Sequence, residues 1–439
     1  MTDYWMKPAF LLMIEMMQRE EEGCDVSEFR AAVAEVNEST STSDVFALYD
    51  RISALKPLKS FAYDEPSDLA GIQKACPPQV KFPMLRLTDE QIQERLLGAW
   101  LGRSVGCILG VPVEGLSREH LEIYLKAAGA YPLQDFVPLI TPPAGIELMP
   151  GRFDSVRGNI NYMPRDDDTD YTILGLHLLE KFGPGFTAQN VADTWLDVLP
   201  YNLVFTAERI AYRNLTDDIL PPESASTHNP FREWIGAQIR ADGFAYAAAG
   251  QPHLAAEMAF RDASVSHVKN GIYGEMFMAA MISAAFLTDD LDEMIEMALT
   301  QVPAHSRFAE MVKQVDAWTR EFATWEETFD KVAATYGKYF WVHTLNNAAV
   351  VLLALIYGQG DLAQSISIAV MCGWDTDCNG ATVGSIFGAW KGASGLPQSW
   401  TGQLNNLMHS AVIGFDNTKI SDLAQRSWKT YQAVRSFQK

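Results

Sequence analysis

The sequence predicts an all-α protein on three observations. Apolar residues recur at helical spacing along most of the chain, period-2 alternation is nearly absent, and two runs of glycine repeat every four residues. The chain has 439 residues, 48% hydrophobic and 20% charged, which supplies apolar material for a large core. Disorder and a small disulfide scaffold are excluded on that ground.

Taken in order, residues 8–17 are apolar, but Glu15 interrupts them and Arg19 and Glu20, Glu21 and Glu22 follow. That pattern reads as an amphipathic helix, not a signal peptide. Thr42, Ser43 and Asp44 offer an N-cap for the apolar positions Val45, Leu48 and Ile52. Pro57, Pro66, Pro77, Pro78 and Pro83 punctuate an aperiodic stretch, which predicts a loop leading into the main body. Thr88, with Gln91 three residues on, caps a helix carrying Leu97, Trp100, Leu101 and Ile108. Further helices are expected over 173–179, 254–260, 275–287, 291–299, 345–357 and 366–371. The expected organisation is an N-terminal helical extension with a Pro-rich loop, residues 1–88, and one helical domain over 89–439.

Gly98, Gly102, Gly106 and Gly110 form one ladder, and Gly380, Gly384, Gly388 and Gly392 the other. Each helical glycine costs roughly 0.8–1 kcal/mol relative to alanine. Close approach of two backbones compensates, because residues four apart form one ridge without Cβ atoms. Arg103, Lys391 and the shortness of both runs argue against a transmembrane dimer motif. Two tightly packed central helices are therefore expected.

The chain carries 34 Lys+Arg against 55 Asp+Glu, a formal net charge of −21. Sequence-independent nucleic-acid binding and docking on an anionic membrane are excluded as partners. No run of about 18 uncharged apolar residues predicts a membrane span. Five cysteines without framework spacing point to a reducing, cytoplasmic location.

Much of the chemistry sits in two acidic segments. Asp166, Asp167 and Asp168, with Asp170, precede an apolar helical run. One of them caps that helix, and their adjacency calls for a cation to relieve the repulsion. Asp375 and Asp377, with Thr376, Cys378 and Asn379, precede the second glycine ladder and supply hard oxygen ligands, with an Asx turn and cap as the competing reading. Two such segments at helix starts predict two halves of one site, and a two-metal centre needs about this many carboxylates.

The series Gly98 to Gly110 with Pro112, Glu114 and Gly115, then Asp167-Asp168-Thr169, then Gly373-x-Asp375-Thr376-Asp377-x-Asn379-Gly380-Ala381 resembles the ADP-ribosylglycohydrolase family. That family includes hydrolases that remove ADP-ribose from arginine or serine and the activator of dinitrogenase reductase. The resemblance spans about residues 90 to 415. It implies a compact, orthogonal multi-helix fold with two Mg²⁺ ions, or Mn²⁺, that hydrolyses the C1 bond of a ribose to nitrogen or oxygen in an ADP-ribosyl or ribosyl substrate. It assigns Asp167 and Asp168 to a first ligand pair and Asp375 and Asp377 to a second, with Asp166 adding a charge where the family usually has Thr or Ser. It places Glu114 beside the substrate ribose, Gln238 and Arg240 on a substrate-lining stretch, and His267 of Ser266-His267 near the ligand. Cys378 stands where a last Thr or Ser ligand is expected, so water or Asn379 takes that place, or the site prefers Mn²⁺. Cys107 stands at a common aspartate. These departures imply a divergent, bacterial-type subfamily.

The catalytic expectation is that Asp168 and Asp375 serve the metal centre, that Asp375 or Asp377 positions the water, and that Glu114 handles the leaving-group side. Asn379 is expected to touch substrate or metal. Arg240 meets a phosphate or pairs with an acid such as Asp242. His343, Thr344, Asn346 and Asn347 set polar groups at the start of an apolar helix, where Thr344 caps and ligand contact is the competing reading for the others. Phe231 and Trp234 stack a base or pack in the core. The alternatives are an N-ribosidase for a small nucleoside-like metabolite and a non-catalytic metal- or ribose-binding protein.

Overall fold

The computed structural model describes residues 4–37, 39–78 and 81–437. Among these residues there are twenty α-helices, and one antiparallel pair of two-residue strands, Leu407–Met408 and Thr418–Lys419. The two glycine-laddered helices, Asp89–Gly110 and Thr376–Lys391, form the centre. They run antiparallel, with Gly98 facing Gly388, Gly102 facing Gly384, Gly106 facing Gly380 and Gly110 facing Thr376. At each of these glycines in the first helix a methyl group would lie less than 3.0 Å from backbone atoms of the second. The ladder thus lets two main chains touch along their length, and it fixes their register.

That register has a chemical consequence. The end of the first helix, which leads into Glu114, lies against the start of the second, which carries Asp375 and Asp377. Thr376 Oγ1 donates to the Gly110 carbonyl at 2.8 Å and locks the two ends together. The first helix is long and apolar enough to cross a bilayer by length and composition, but 89% of its apolar window is buried inside the protein. Its composition is that of a core helix.

Thr88 and Gln91 form the expected capping box. Other local expectations shift by a residue or more. Ser41, not Thr42, caps helix Thr42–Ser53, because the Asp44 N–H donates to its Oγ at 3.1 Å. His343, not Thr344, caps helix Thr344–Tyr357, and Thr344 Oγ1 donates instead to the Trp234 carbonyl. The Pro-rich stretch contains a short helix, Leu69–Ala75, capped by Asp68.

The N-terminal helix Pro8–Glu21 packs on the body through a buried polar seam. Arg232 donates to Glu15 Oε2 at 2.5 Å and to Glu22 Oε1 at 3.2 Å. Arg307 bridges Glu65 and Glu233 at 2.7 and 2.8 Å, and Gln18 reaches Glu233 at 2.7 Å. Phe231 and Trp234 join Trp5, Phe10 and Phe340 in an aromatic cluster beside the seam, so they serve packing. His343 lies 3.7 Å from Glu21 and stays neutral, its basicity pushed down to about 3 by burial.

Burial and the nearby Glu233 push the Glu21 carboxyl up to about 8. The folded state then holds a proton that the unfolded chain releases near 4.5. The associated stability is present below that value and is lost as pH rises through about 8. Relative to Glu21→Gln, the wild-type protein is expected to lose on the order of a few kcal/mol between pH 5 and 8. Denaturant unfolding of both proteins across that range checks it; parallel pH profiles would contradict it.

Candidate active site and metal centre

The acidic helix Asp167–Phe182 starts at Asp166, which accepts from the Asp168 N–H at 3.1 Å and is its N-cap. The capping role foreseen for one of the three aspartates therefore belongs to Asp166. Three acidic side chains in the first turn also suit the positive end of the helix dipole. In contrast, Asp375 makes no side-chain cap hydrogen bond to its helix. Its carboxylate is left for another use.

The turn before Asp375 is held in a conformation that few residues adopt. Gly373 has φ of 79° and Trp374 a φ of 66°. A side chain at Gly373 would press on the backbone of Leu116 and Arg118. The Trp374 N–H donates to the Leu116 carbonyl at 3.0 Å, and the Gly115 N–H to the Trp374 carbonyl at 2.9 Å. This short pairing holds Glu114 beside Asp375. The strained turn is thus the device that joins the two motifs.

Three sets of ligand atoms converge, each within 4.8 Å of one another: Glu114, Asp375 and Asp377; Asp168, Asp377 and Cys378; and Cys107, Asp166 and Asp168. Asp166, Asp168, Asp375 and Asp377 are at most 5% exposed, whereas Glu114 and Asp167 are partly exposed at the edge. Segments some 200 residues apart in sequence therefore meet in one buried cluster. Burial, with Asp377, Asp166 and Asp167 nearby, holds the Glu114 carboxyl well above its ordinary range. Burial and then Asp377 raise Asp375 likewise. Asp167 is pushed up to about 8 by burial and Asp166, and Asp377 to about 6 by the same two causes.

Both cysteines in the cluster are poor ligands for a hard ion. Burial raises the Cys107 and Cys378 thiols well above their ordinary range, so both are neutral. Asn379 donates through Nδ2 to Asn347 Oδ1 at 2.8 Å, and its own buried Oδ1 has no protein partner. Asp377 Oδ1 is likewise buried and unpartnered. An all-oxygen set with orphaned acceptors fits Mg²⁺ or Mn²⁺.

Arg103 and Arg152, not singled out for the site from sequence, complete it together with Asn347. Arg103, fully buried in the first glycine helix, donates to the Asp168 carbonyl at 3.0 and 2.6 Å, to Asp168 Oδ1 at 3.1 Å and to Asp242 at 2.8 Å. Arg152 donates to Asp166 Oδ2 at 2.6 Å and to the Arg165 carbonyl at 2.8 Å. Asn347 accepts from the Asp375 N–H at 3.4 Å as well as from Asn379, and donates to the Trp341 and His343 carbonyls. A lone arginine in an apolar glycine ridge was a signal for Arg103, and the polar string 343–347 was one for Asn347. Arg152 had none, because it lies on an irregular loop.

The expected substrate stretch is only partly at the cluster. Arg103 donates to the Ile239 carbonyl at 2.7 Å, which ties this stretch to the helix carrying Arg103. Gln238 is fully buried, and neither its oxygen nor its nitrogen has a protein partner. Arg240 corrects the expectation of a phosphate contact: it is 1% exposed and bound to Glu208 and Asp262, with Glu275 at 3.6 Å. Asp242, the acid foreseen as its partner, pairs with Arg103 instead. His267 is buried beside this second ionic cluster, with Nδ1 2.8 Å from Ser266 Oγ and Nε2 unpartnered. Burial and Arg240 push its basicity well down, so the ring is neutral.

The sequence model of the ADP-ribosylglycohydrolase family matches residues 88–436. The chain belongs to that family, whose members are hydrolases. A solved structure titled "ADP-ribosylglycohydrolase-related protein complex" superposes with a TM-score of 0.52 at 17% identity, over 79% of this chain and 99% of the other. That likeness supports the helical fold. No curated protein matches the chain.

Proposed function

We propose that this protein hydrolyses the C1 glycosidic bond of an ADP-ribosyl substrate in a reaction that depends on a divalent cation. The observation that carries the reading is the convergence of Glu114, Asp375 and Asp377, with the buried Asp377 Oδ1 facing no protein donor. Glu114, Asp375 and Asp377 are the groups that would hold a cation, with Asp167 and Asp168 on the other side of the cluster. Bound there, a divalent ion would polarise water and the ribose hydroxyls.

The chain's own residues supply the rest. Glycosidic cleavage develops positive charge at C1, and a ring of carboxylates stabilises it more than the neutral ground state. Asp375 or Asp377 orients the attacking water through a carboxylate oxygen and takes its proton. Glu114, partly exposed at the edge, completes the cation site and stands on the leaving-group side, where the proton given up by the water passes to the departing nitrogen or oxygen. Arg103 holds Asp168 in place, and Asn347 holds the backbone of Asp375.

A second reading, an N-ribosidase for a small nucleoside-like metabolite, is favoured by one observation. Arg240 is enclosed by carboxylates and gives no charge to a pyrophosphate. Incubation with ADP-ribosyl-arginine, ADP-ribosyl-serine and simple N-ribosides, with Mg²⁺ or with chelator, separates the two. Release of ADP-ribose that stops on chelation is the expected result. Cleavage of the simple ribosides alone would move the assignment to the second reading, and no release from any of them would sink both.

A further inference from the structure

The cluster is electrostatically lopsided. At one end Asp166 already has a cation: Arg152 Nη2 lies 2.6 Å from its Oδ2, while its Oδ1 caps the acidic helix through the Asp168 N–H. Asp168 beside it has Arg103 at 3.1 Å from Oδ1. The remaining candidate ligand at this end is the Cys107 thiol. A divalent ion there would confront two guanidinium groups, one carboxylate already paired on both oxygens, and a soft neutral donor. At the other end Glu114, Asp375 and Asp377 offer oxygen only, and no arginine is bonded to any of them among the described residues.

Arg152 is built to stay where it is. Its Nη1 donates to the Arg165 carbonyl, immediately before Asp166. Its loop is tied beside the Glu114 turn by the Met149 N–H, which donates to the Pro112 carbonyl at 3.0 Å. The guanidinium therefore spans from the loop to the head of the acidic helix. The added negative charge of Asp166 and the added positive charge of Arg152 form one unit.

We propose that Arg152 is a resident counter-ion that takes the place of a second metal ion at the Asp166 end, so that the chain binds one divalent cation, at Glu114, Asp375 and Asp377. This rests on the proposed function for the existence of a cation site, and adds how many ions it takes and which residue sets that number. Removing the positive charge, as in Arg152→Gln, frees Asp166 Oδ2 for a second ion. Arg152→Lys keeps the charge and the single ion.

The test is Mn²⁺ stoichiometry by equilibrium dialysis, with electron paramagnetic resonance to detect coupling between neighbouring ions. Circular dichroism on each protein verifies folding, and Lys126→Ala serves as an exposed-charge control. The expected result is one Mn²⁺ per chain for wild type, Arg152→Lys and Lys126→Ala, and two coupled ions for Arg152→Gln. Two ions on the wild type, or one on Arg152→Gln, overturns the inference and leaves the hydrolase reading standing. No ion on any of them overturns both the inference and the cation dependence.

Discussion

Asp375→Asn is expected to lower the rate of glycosidic hydrolysis by about a thousandfold or more while the protein remains folded. Asp375 is 4% exposed, its helix does not use it as a cap, and its backbone N–H is already held by Asn347. The amide keeps the shape of the side chain and removes the charge that holds cation and orients water. Stability should respond in the opposite direction. In the cation-free protein burial and Asp377 disfavour the Asp375 carboxylate, so the neutral amide relieves that cost and the melting temperature stays level or rises. A cation should then stabilise the variant less than the wild type, because binding to the folded state alone raises stability with the logarithm of the affinity. Loss of activity together with a lower melting temperature would point to a structural role instead.

Gly106→Ala is expected to cost on the order of 4 kcal/mol or more, an unusual loss for one methyl group. The new Cβ would lie less than 3.0 Å from the carbonyl oxygen of Gly380. No side chain is available to move aside, since the obstacle is the main chain of the partner helix. The helices must separate, and the separation also draws Gly110 away from Thr376 and Glu114 away from Asp375. Activity should therefore fall further than stability alone dictates at temperatures where the variant is folded. Gly185→Ala is the control: nothing lies within 4 Å of a methyl group there, and the effect should stay within about 0.5 kcal/mol. Equal stability of Gly106→Ala and wild type in denaturant melts would refute the helix-to-helix contact.

Sequence carried the scaffold and the two acidic segments because both are local signals. A four-residue glycine repeat states that something must come close, and the structure shows that the two repeats meet each other. Adjacent aspartates ahead of a helix state that a charge must be relieved. What was not legible depends on contacts between distant segments. The Arg152 side chain reaches Asp166 only because an irregular loop returns past Pro112. Arg240 looked available because Glu208, Asp262 and Glu275, the acids that enclose it, lie 22 to 35 residues away on other helices. Thr344 was a reasonable cap by type, but the Trp234 carbonyl competes for its hydroxyl and His343 takes the role.

The N-terminal segment was opaque for a related reason. Its apolar face reads as an amphipathic helix, but nothing local announces that Glu15 and Glu22 will be buried against Arg232. The family match begins at residue 88, and residues 4–37 nevertheless share a polar seam with the body. The seam runs through Glu21 to His343, which caps the helix bearing Asn347, and Asn347 holds Asp375. The extension thus touches the same helix that supports the acidic cluster.

The central claim is that the buried acidic cluster holds a cation at Glu114, Asp375 and Asp377. The most direct measurement is a crystal structure grown with Mn²⁺, with anomalous difference density recorded at the manganese edge. The account predicts a peak enclosed by carboxylate oxygens of Glu114, Asp375 and Asp377. Ordered density for these side chains with no anomalous peak among them would contradict it.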